Sequence, residues 1–348
     1  MLTRHFDFHL PQESIAQEPS PRGQSRLLHL DAEGPQRHRR VSDLPFLLRA
    51  GDLVVVNDTR VIPARLFAKR EDTGGRIEVL LVEREDDLHW QALLKPGKKA
   101  RQGRRFVLEG GDAPGTTSVS FQAEESLEDG RYRLRFSTPV DPHLDRLGHI
   151  PLPPYIKRPD DERDRQRYQT VFANQPGAIA APTAGLHFTE EILDRLVIEG
   201  VGLTTVTLHV GIGTFKPVTA ELAHEHRMDR ERFHISAEAA EKIRSTRAKR
   251  GRIVAIGTTV VRTLETAALE GDGEVRCGPG SSELFIRPGF SFRAVDLLVT
   301  NFHLPRSTLL MLVSAFAGRE RTLAAYREAV DKGYRFYSYG DAMLVERT

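Results

Sequence analysis

Two periodicities divide the chain. Between Arg60 and His149, apolar and polar residues alternate in short runs at 76–83, 88–94, 105–109, 118–123 and 130–137. Turns such as Thr73-Gly74-Gly75 and Glu109-Gly110-Gly111-Asp112 separate them. A period of two sends successive side chains to opposite faces, so closely spaced short strands predict a small antiparallel barrel or sandwich.

From Ala178 onward, strand and helix patterns take turns. Residues 178–181 read as a small-residue strand. Thr189 then caps a helix with Glu190 and Glu191 in its first turn and Gly200 as its stop. Residues 205–210 alternate as a strand, and Ser236 opens a long helix ending near Gly251. A strand at 252–256 precedes a helix at 259–269. A strand at 295–299 precedes a helix capped by Ser307 and stopped by Gly318. Such alternation implies an α/β fold, mostly parallel strands with helices packed outside, barrel-like. One more buried-type strand, 53–56, lies before the alternating region. The body is therefore discontinuous, 1–59 and 150–348, with a β-barrel insertion over 60–149. Pro151-Leu152-Pro153-Pro154 is the return linker.

Composition narrows this little. The 348 residues are 39% hydrophobic and 28% charged, which suits one large or two smaller globular domains. The single cysteine, Cys277, excludes an intramolecular disulfide, a Cys-rich zinc site and a Cys-ligated iron–sulfur cluster. The N-terminus opens no signal-peptide core, and the apolar runs are far too short to span a bilayer. The reading is a cytoplasmic monomer that meets no membrane. A net charge of +2 carries no argument for nucleic acid by itself.

Candidate chemistry sits after the strands, where parallel α/β folds bind ligands. The strand ends run into Asn57-Asp58-Thr59-Arg60, Pro182-Thr183-Ala184-Gly185-Leu186-His187, His209 with Gly211-Ile212-Gly213-Thr214, Gly257-Thr258-Thr259, and Thr300-Asn301-Phe302-His303. Five polar ends converging on one rim predict a site. Gly211 and Gly213 also fit plain turn glycines, and without the later glycine they do not make a dinucleotide fingerprint. Thr258 and Thr259 open a helix, so they either cap it or hold a carboxylate, phosphate or ribose hydroxyl there. Arg262 lies one turn further in. His187, His209 and His303 are the imidazoles suited to proton transfer near neutrality, each also readable as a satisfied structural histidine. Separately, Lys95, Lys98, Lys99, Arg101, Arg104 and Arg105 crowd one turn of the insertion, either a solvated hairpin tip or a phosphate-backbone grip.

These segments together resemble one family. The opening FDFHLPQESIAQEPSPRGQSRLLHLD, then VVNDTRVIPARL, ALLKPGKKA, GHIPLPPYIKR, APTAGLHFT, TLHVGIGTFKPV, GTTVVRTLE, VTNFHLPRSTLLMLVSAFAG and FYSYGDAMLV are similar to the queuosine ribosyltransferase-isomerases, in order and over nearly the whole chain. The resemblance implies an α/β body with an inserted six-stranded barrel. It implies an enzyme that uses S-adenosylmethionine as ribosyl donor and co-substrate, with no tightly bound cofactor and no metal. The acceptor would be 7-aminomethyl-7-deazaguanine at the tRNA wobble position, the product epoxyqueuosine, with adenine and methionine released. On this basis His187, His209, His303 and Asp58 are the catalytic candidates. Asn57, Arg60, Thr183, Gly185, Gly211, Gly213, Thr214, Thr258, Thr259, Arg262, Asn301 and Asp341 are the substrate-binding candidates. Lys95, Lys98, Lys99 and Arg101 would touch tRNA. The stretch Met228-Asp229-Arg230-Glu231 departs from the family's Met-His-x-Glu, so Glu231 carries over and a histidine role there does not.

Two rival readings stay open. An enzyme acting on a free nucleotide or sugar phosphate would share the rim but leave the basic turn unexplained. A non-catalytic RNA-binding module would explain the turn but not the rim.

Overall fold

Leu53–Asn57 is buried at every position. Leu53 and Val55 join one apolar cluster while Val54 and Val56 join another. The neighbouring strand Ile253–Ile256 divides the same way, Ile253 and Ala255 against Val254 and Ile256. A strand apolar on both faces needs cover on both sides. Helices Thr258–Glu270 and Thr308–Ala317 supply it on one side through Val261, Leu264, Leu310 and Phe316. Helix Glu190–Ile198 supplies it on the other through Ile192 and Leu196. Each such Val, Leu or Ile contributes roughly 1.5–3 kcal/mol relative to exposure.

The computed structural model describes residues 1–97, 102–110, 118–127, 130–211, 213 and 218–348. The chain divides into two units. One is Met1–Arg60 with Pro154–Arg158 and Gln166–Thr348; the other is Val61–Pro153 with Pro159–Arg165. In the first unit a nine-stranded sheet runs in the order Gly278–Ser282, Glu231–Ile235, Gly202–Leu208, Leu53–Asn57, Ile253–Ile256, Leu297–Asn301, Ala342–Glu346, Arg26–Leu30 and Arg37–Arg40. The four strands from Gly202–Leu208 to Leu297–Asn301 are mutually parallel. The flanks are mixed, since Glu231–Ile235, Gly278–Ser282, Ala342–Glu346 and Arg37–Arg40 all join a neighbour antiparallel. The expected α/β body with an inserted antiparallel barrel is observed, but the body's sheet is open and mixed. On one flank Arg26–Leu30 pairs parallel with Ala342–Glu346, which itself returns antiparallel to Leu297–Asn301 after the helices Thr308–Ala317 and Arg319–Asp331.

In the second unit six strands close a barrel: Arg131–Phe136, His89–Lys95, Arg76–Arg84, Arg65–Arg70, Arg105–Leu108 and Ser120–Ser126. Burial alternates along them, and Ile77, Val79, Leu81, Phe106, Phe121 and Leu134 fill the interior. Phe106 stacks on Phe121 at 5.0 Å.

The helix caps follow the sequence. Thr189, Ser236 and Ser307 each accept a backbone N–H three residues on, at 3.2, 3.1 and 3.2 Å. One strand differs. The segment 178–181 is a strand only as part of Gln175–Ala178, after which the chain bends. Ile179 and Ala180 then donate to the Val210 carbonyl at 3.1 and 3.3 Å. Small residues let this bend pass close to the sheet, which reads as a strand in one dimension. No helix among the described residues is long and apolar enough to cross a membrane.

Candidate active site

At the C-terminal ends of Ile253–Ile256 and Leu297–Asn301 the first unit holds a pocket. Its walls come from Ala180–Ala184, Val210, Gly257–Thr259, Thr300–Pro305, Ser307 with Leu309, Tyr155, and Tyr337 with Ser338. Among the described residues, none of the lining side chains is Asp, Glu, Lys or Arg. A second concavity lies at the N-terminal ends of Leu53–Asn57 and Ile253–Ile256, around Arg49–Asp52 and Lys249–Arg252. Its acid is already spent, since Asp52 takes Arg252 at 2.6 and 3.0 Å.

Helix Thr258–Glu270 begins in the pocket. Gly257 turns the chain from strand to helix at φ 97°, a conformation that favours glycine. Gly257 offers no side-chain cap, so the helix start presents its backbone donors to the pocket with Thr258 and Thr259 beside them. The Thr259 hydroxyl is buried without a hydrogen-bond partner, as is the phenol oxygen of Tyr337. Buried polar atoms normally find partners, so two orphans in one pocket mark ligand-contact positions.

Asn301 organises the back wall. Its Oδ1 accepts from Thr183 Oγ1 at 3.1 Å, and its Nδ2 donates to the Tyr337 carbonyl at 3.0 Å and to His187 Nε2 at 3.1 Å. Because Nε2 accepts, His187 carries its proton on Nδ1 and donates to Ser25 Oγ at 2.9 Å. Both ring nitrogens are therefore occupied within the protein. Burial, then Arg335, Arg167 and Arg22, pushes the His187 pKa down to about 4. Tyr337 is held at φ 75°, a strained position for a non-glycine residue, with its ring 3.9 Å from that of Tyr155. His303 lines the pocket with Nε2 2.9 Å from Thr300 Oγ1, and burial lowers its pKa to about 3.

A second group lies after the adjacent pair of strands. His209 Nδ1 meets Thr59 Oγ1 at 2.8 Å, and Asp58 Oδ1 accepts from Thr207 Oγ1 at 2.6 Å. His209 is half-buried. Burial lowers its pKa, Asp58 opposes that, and Arg232 adds to it. Gly177, at φ 142°, lies flat on this ring: a Cβ there would sit 2.9 Å from His209 Cε1. Val210, the next residue, lines the pocket.

The structure thus gathers Thr183, Thr258, Thr259, Asn301 and His303 at one pocket, with His187 behind Asn301 and Asp58 with His209 at the neighbouring strand ends. Several sequence candidates sit elsewhere or are spent. Asn57 mimics a peptide unit, bonding Leu208 N at 3.0 Å, Leu208 O at 2.9 Å and Thr59 N at 3.2 Å. Arg262 is buried against Glu231 at 2.5 Å and the carbonyls of Ser282 and Leu284. Glu231 also takes the Gly211 N–H at 3.2 Å, so this ion pair anchors the glycine turn. Asp341 accepts from the backbone N–H groups of Arg26 and Arg335, both at 2.9 Å. Gly185 is a packing glycine, since a Cβ would strike Phe172 and Thr170 at 2.7 Å. Gly213 abuts Asp229 in the same manner, whereas Gly211 has open space. Arg60 and Lys95 are exposed. Lys98, Lys99, Arg101 and Thr214 lie outside the described residues. One trio, His29, Asp31 and Glu346, has ligand-type atoms within 4.8 Å of one another. There His29 Nε2 is bonded to Glu346 at 2.9 Å while Asp31 accepts from Glu33 and Gly34, so the trio reads as a hydrogen-bonded corner.

Sequence reasoning missed Tyr155, Tyr337 and Gly177. Their roles depend on neighbours far along the chain, and only the family-like run FYSYGD hinted at Tyr337.

Comparison with known proteins gives a consistent picture. The family model described as queuosine biosynthesis protein matches residues 3–345. A Symbiobacterium thermophilum S-adenosylmethionine:tRNA ribosyltransferase-isomerase is 53% identical, covering 99% of this chain and all of the relative. The Thermus thermophilus protein of the same name is 52% identical over 98% of each chain. The crystal structure of a Thermotoga maritima S-adenosylmethionine tRNA ribosyltransferase matches with TM-score 0.55 and 39% identity, covering 98% of this chain and 99% of that one.

Proposed function

The chain belongs to the queuosine biosynthesis protein family and is an S-adenosylmethionine:tRNA ribosyltransferase-isomerase; from that premise we propose which groups it joins and which residues do the work. The ribosyl unit of S-adenosylmethionine passes to 7-aminomethyl-7-deazaguanine at the tRNA wobble position. Epoxyqueuosine forms, and adenine and methionine leave. The observation that carries this reading is the pocket at the strand ends, free of charged side chains yet holding two orphan hydroxyls. An uncharged, partly apolar wall with a few polar points suits a nucleoside. The helix start at Gly257–Thr259 suits an oxygen of the co-substrate such as a ribose hydroxyl.

The first chemical step removes a proton from the 5′ carbon beside the sulfonium, which stabilises the resulting ylide. His209 is the proposed base. Its ring is half-open, oriented by Thr59, and has the Asp58 carboxylate nearby to stabilise its protonated form. His187 is a positioning residue: it fixes Asn301, which fixes Tyr337 and Thr183. His303, neutral near pH 7, serves as a hydrogen-bonding wall toward the departing adenine. Thr258, Thr259 and Tyr337 bind the nucleoside. The wobble base must be splayed out to reach the rim. Lys95, Lys98, Lys99 and Arg101 grip tRNA phosphates, the enzyme needs no metal or tightly bound cofactor, and it works as a cytoplasmic monomer.

Incubation with precursor-bearing tRNA and S-adenosylmethionine tests the reaction. Adenine release with a matching mass gain on the tRNA is expected. Transfer of a methyl group, with S-adenosylhomocysteine as product, would refute it.

A further inference from the structure

Three arginines distant in sequence meet beside the Pro19–Arg26 loop, and none of their guanidinium partners is a carboxylate. Arg22 donates to the carbonyls of Gln166 at 3.0 Å and Gln169 at 2.5 Å. Arg167 donates to the Ser20 carbonyl. Arg335 donates to Ser20 Oγ, to the Glu18 carbonyl at 3.1 Å and to the Tyr339 carbonyl at 3.0 Å. Arg167 and Arg335 thus converge on one residue, Ser20, and Arg22 bonds the two residues flanking the Arg167–Tyr168 pair. Two acids lie nearby and both are committed elsewhere: Glu18 is taken by Arg158 at 2.8 Å, and the Asp341 carboxylate by the backbone N–H groups of Arg26 and Arg335, both at 2.9 Å.

Such a cluster is energetically unfinished. Guanidinium groups stay charged and favour flat, two-pronged oxyanion partners. Here every partner is an oxygen without formal charge, and Arg22 Nη1 is buried with no acceptor at all. Burial and the facing Arg167 lower the Arg22 pKa to about 10, the mark of a cation short of compensation.

The cluster is also joined to the proposed active site. Gly23 N–H, next to Arg22, donates to the His187 carbonyl at 2.9 Å, and Ser25 Oγ meets the His187 ring at 2.9 Å. The loop carrying Arg22 is therefore pinned, front and back, to the residue that positions Asn301.

We propose that Arg22, Arg167 and Arg335 form an oxyanion site next to the reaction pocket. Its ligand is a planar or tetrahedral oxyanion of one of the two substrates: a phosphodiester of the tRNA, or the carboxylate of the methionine moiety. This assignment rests on the proposed reaction, and the test separates the two.

The experiment begins with the intact enzyme and inorganic phosphate as probe. At matched ionic strength, phosphate in place of chloride should raise the melting temperature by several degrees, and Arg22→Gln or Arg167→Gln should abolish that rise. Affinities for precursor tRNA and for S-adenosylmethionine are then measured for the same variants. A phosphodiester ligand predicts tRNA affinity down tenfold or more, with a salt dependence shallower by about 0.7–0.9 per lost contact, and S-adenosylmethionine binding unchanged. A carboxylate ligand predicts the reverse. Arg22→Lys, which keeps the charge and loses the fork, should recover only part of the loss. Phosphate stabilisation and both affinities equal to wild type in the Gln variants would overturn the proposal and leave the arginines as braces for loop carbonyls. If wild-type enzyme binds neither substrate, the proposed reaction fails, while the phosphate response still tests the site on its own.

Discussion

His187 and His209 were both rim candidates in the sequence, one after a small-residue loop and one near the end of a strand, yet the fold treats them oppositely. His187 is enclosed, both nitrogens bonded, with its pKa pushed down to about 4. His209 is half-open, bonded through one nitrogen to Thr59, and faces the field of Asp58. A saturated, buried imidazole has no lone pair or proton to spend on a substrate; a half-open one does. The contrast teaches that partner saturation, more than position on the rim, separates framework from chemistry.

Substitutions can break that contrast at either end. His209→Gln should lower kcat by roughly 10²–10⁴ while leaving the unfolding midpoint in denaturant near wild type. His187→Ala should do its main damage to stability, about 2–4 kcal/mol by denaturant unfolding, because it opens a cavity, removes one of the two partners of Asn301 Nδ2 and takes the imidazole partner from Ser25 Oγ. If His187→Ala were as stable as wild type and catalytically dead, the two roles would be exchanged.

Smaller effects sharpen the comparison. Gly177→Ala pushes a methyl group into the His209 ring and should cost about 10- to 100-fold in kcat, with S-adenosylmethionine binding retained. Tyr337→Phe removes only an orphan oxygen. It should raise KM for S-adenosylmethionine about tenfold in steady-state kinetics without destabilising the free enzyme, since no protein hydrogen bond is lost.

Acid gives the mildest signature. His187 and His303 titrate at about 4 and 3 in the fold against 6.5 for the free side chain. Between these values the unfolded chain binds more protons than the folded one, so stability is full above about pH 6.5 and falls as pH drops toward 4. Unfolding free energies at pH 7 and pH 5 should show this decline, and His303→Gln should flatten part of it.

Much of the fold was legible because its signals are local. The buried run at Leu53, the caps Thr189, Ser236 and Ser307, and the alternation through Ile77–Val79–Leu81 each state their structure within a few residues. Sheet direction was less so, because antiparallel flanks such as Glu231–Ile235 depend on which neighbour a strand meets. At the candidate site, segments that line the pocket were visible as polar strand ends, but not which partners each side chain finds there. Asn57 and Arg262 have the chemistry of ligand binders, and only their partners, Leu208 and Glu231, show them to be fasteners. Tyr337 draws its character from Tyr155, far back in the chain, and the Arg22–Arg167–Arg335 group from contacts across 144 to 317 positions, beyond any local pattern.

The assignment of His209 as base is tested most directly with S-adenosylmethionine carrying deuterium at the 5′ carbon. Wild-type enzyme should lose one deuterium to solvent and turn over more slowly than with the light substrate. His209→Gln should bind the co-substrate normally yet neither exchange the label nor release adenine. Label exchange at the wild-type rate in His209→Gln would contradict the account.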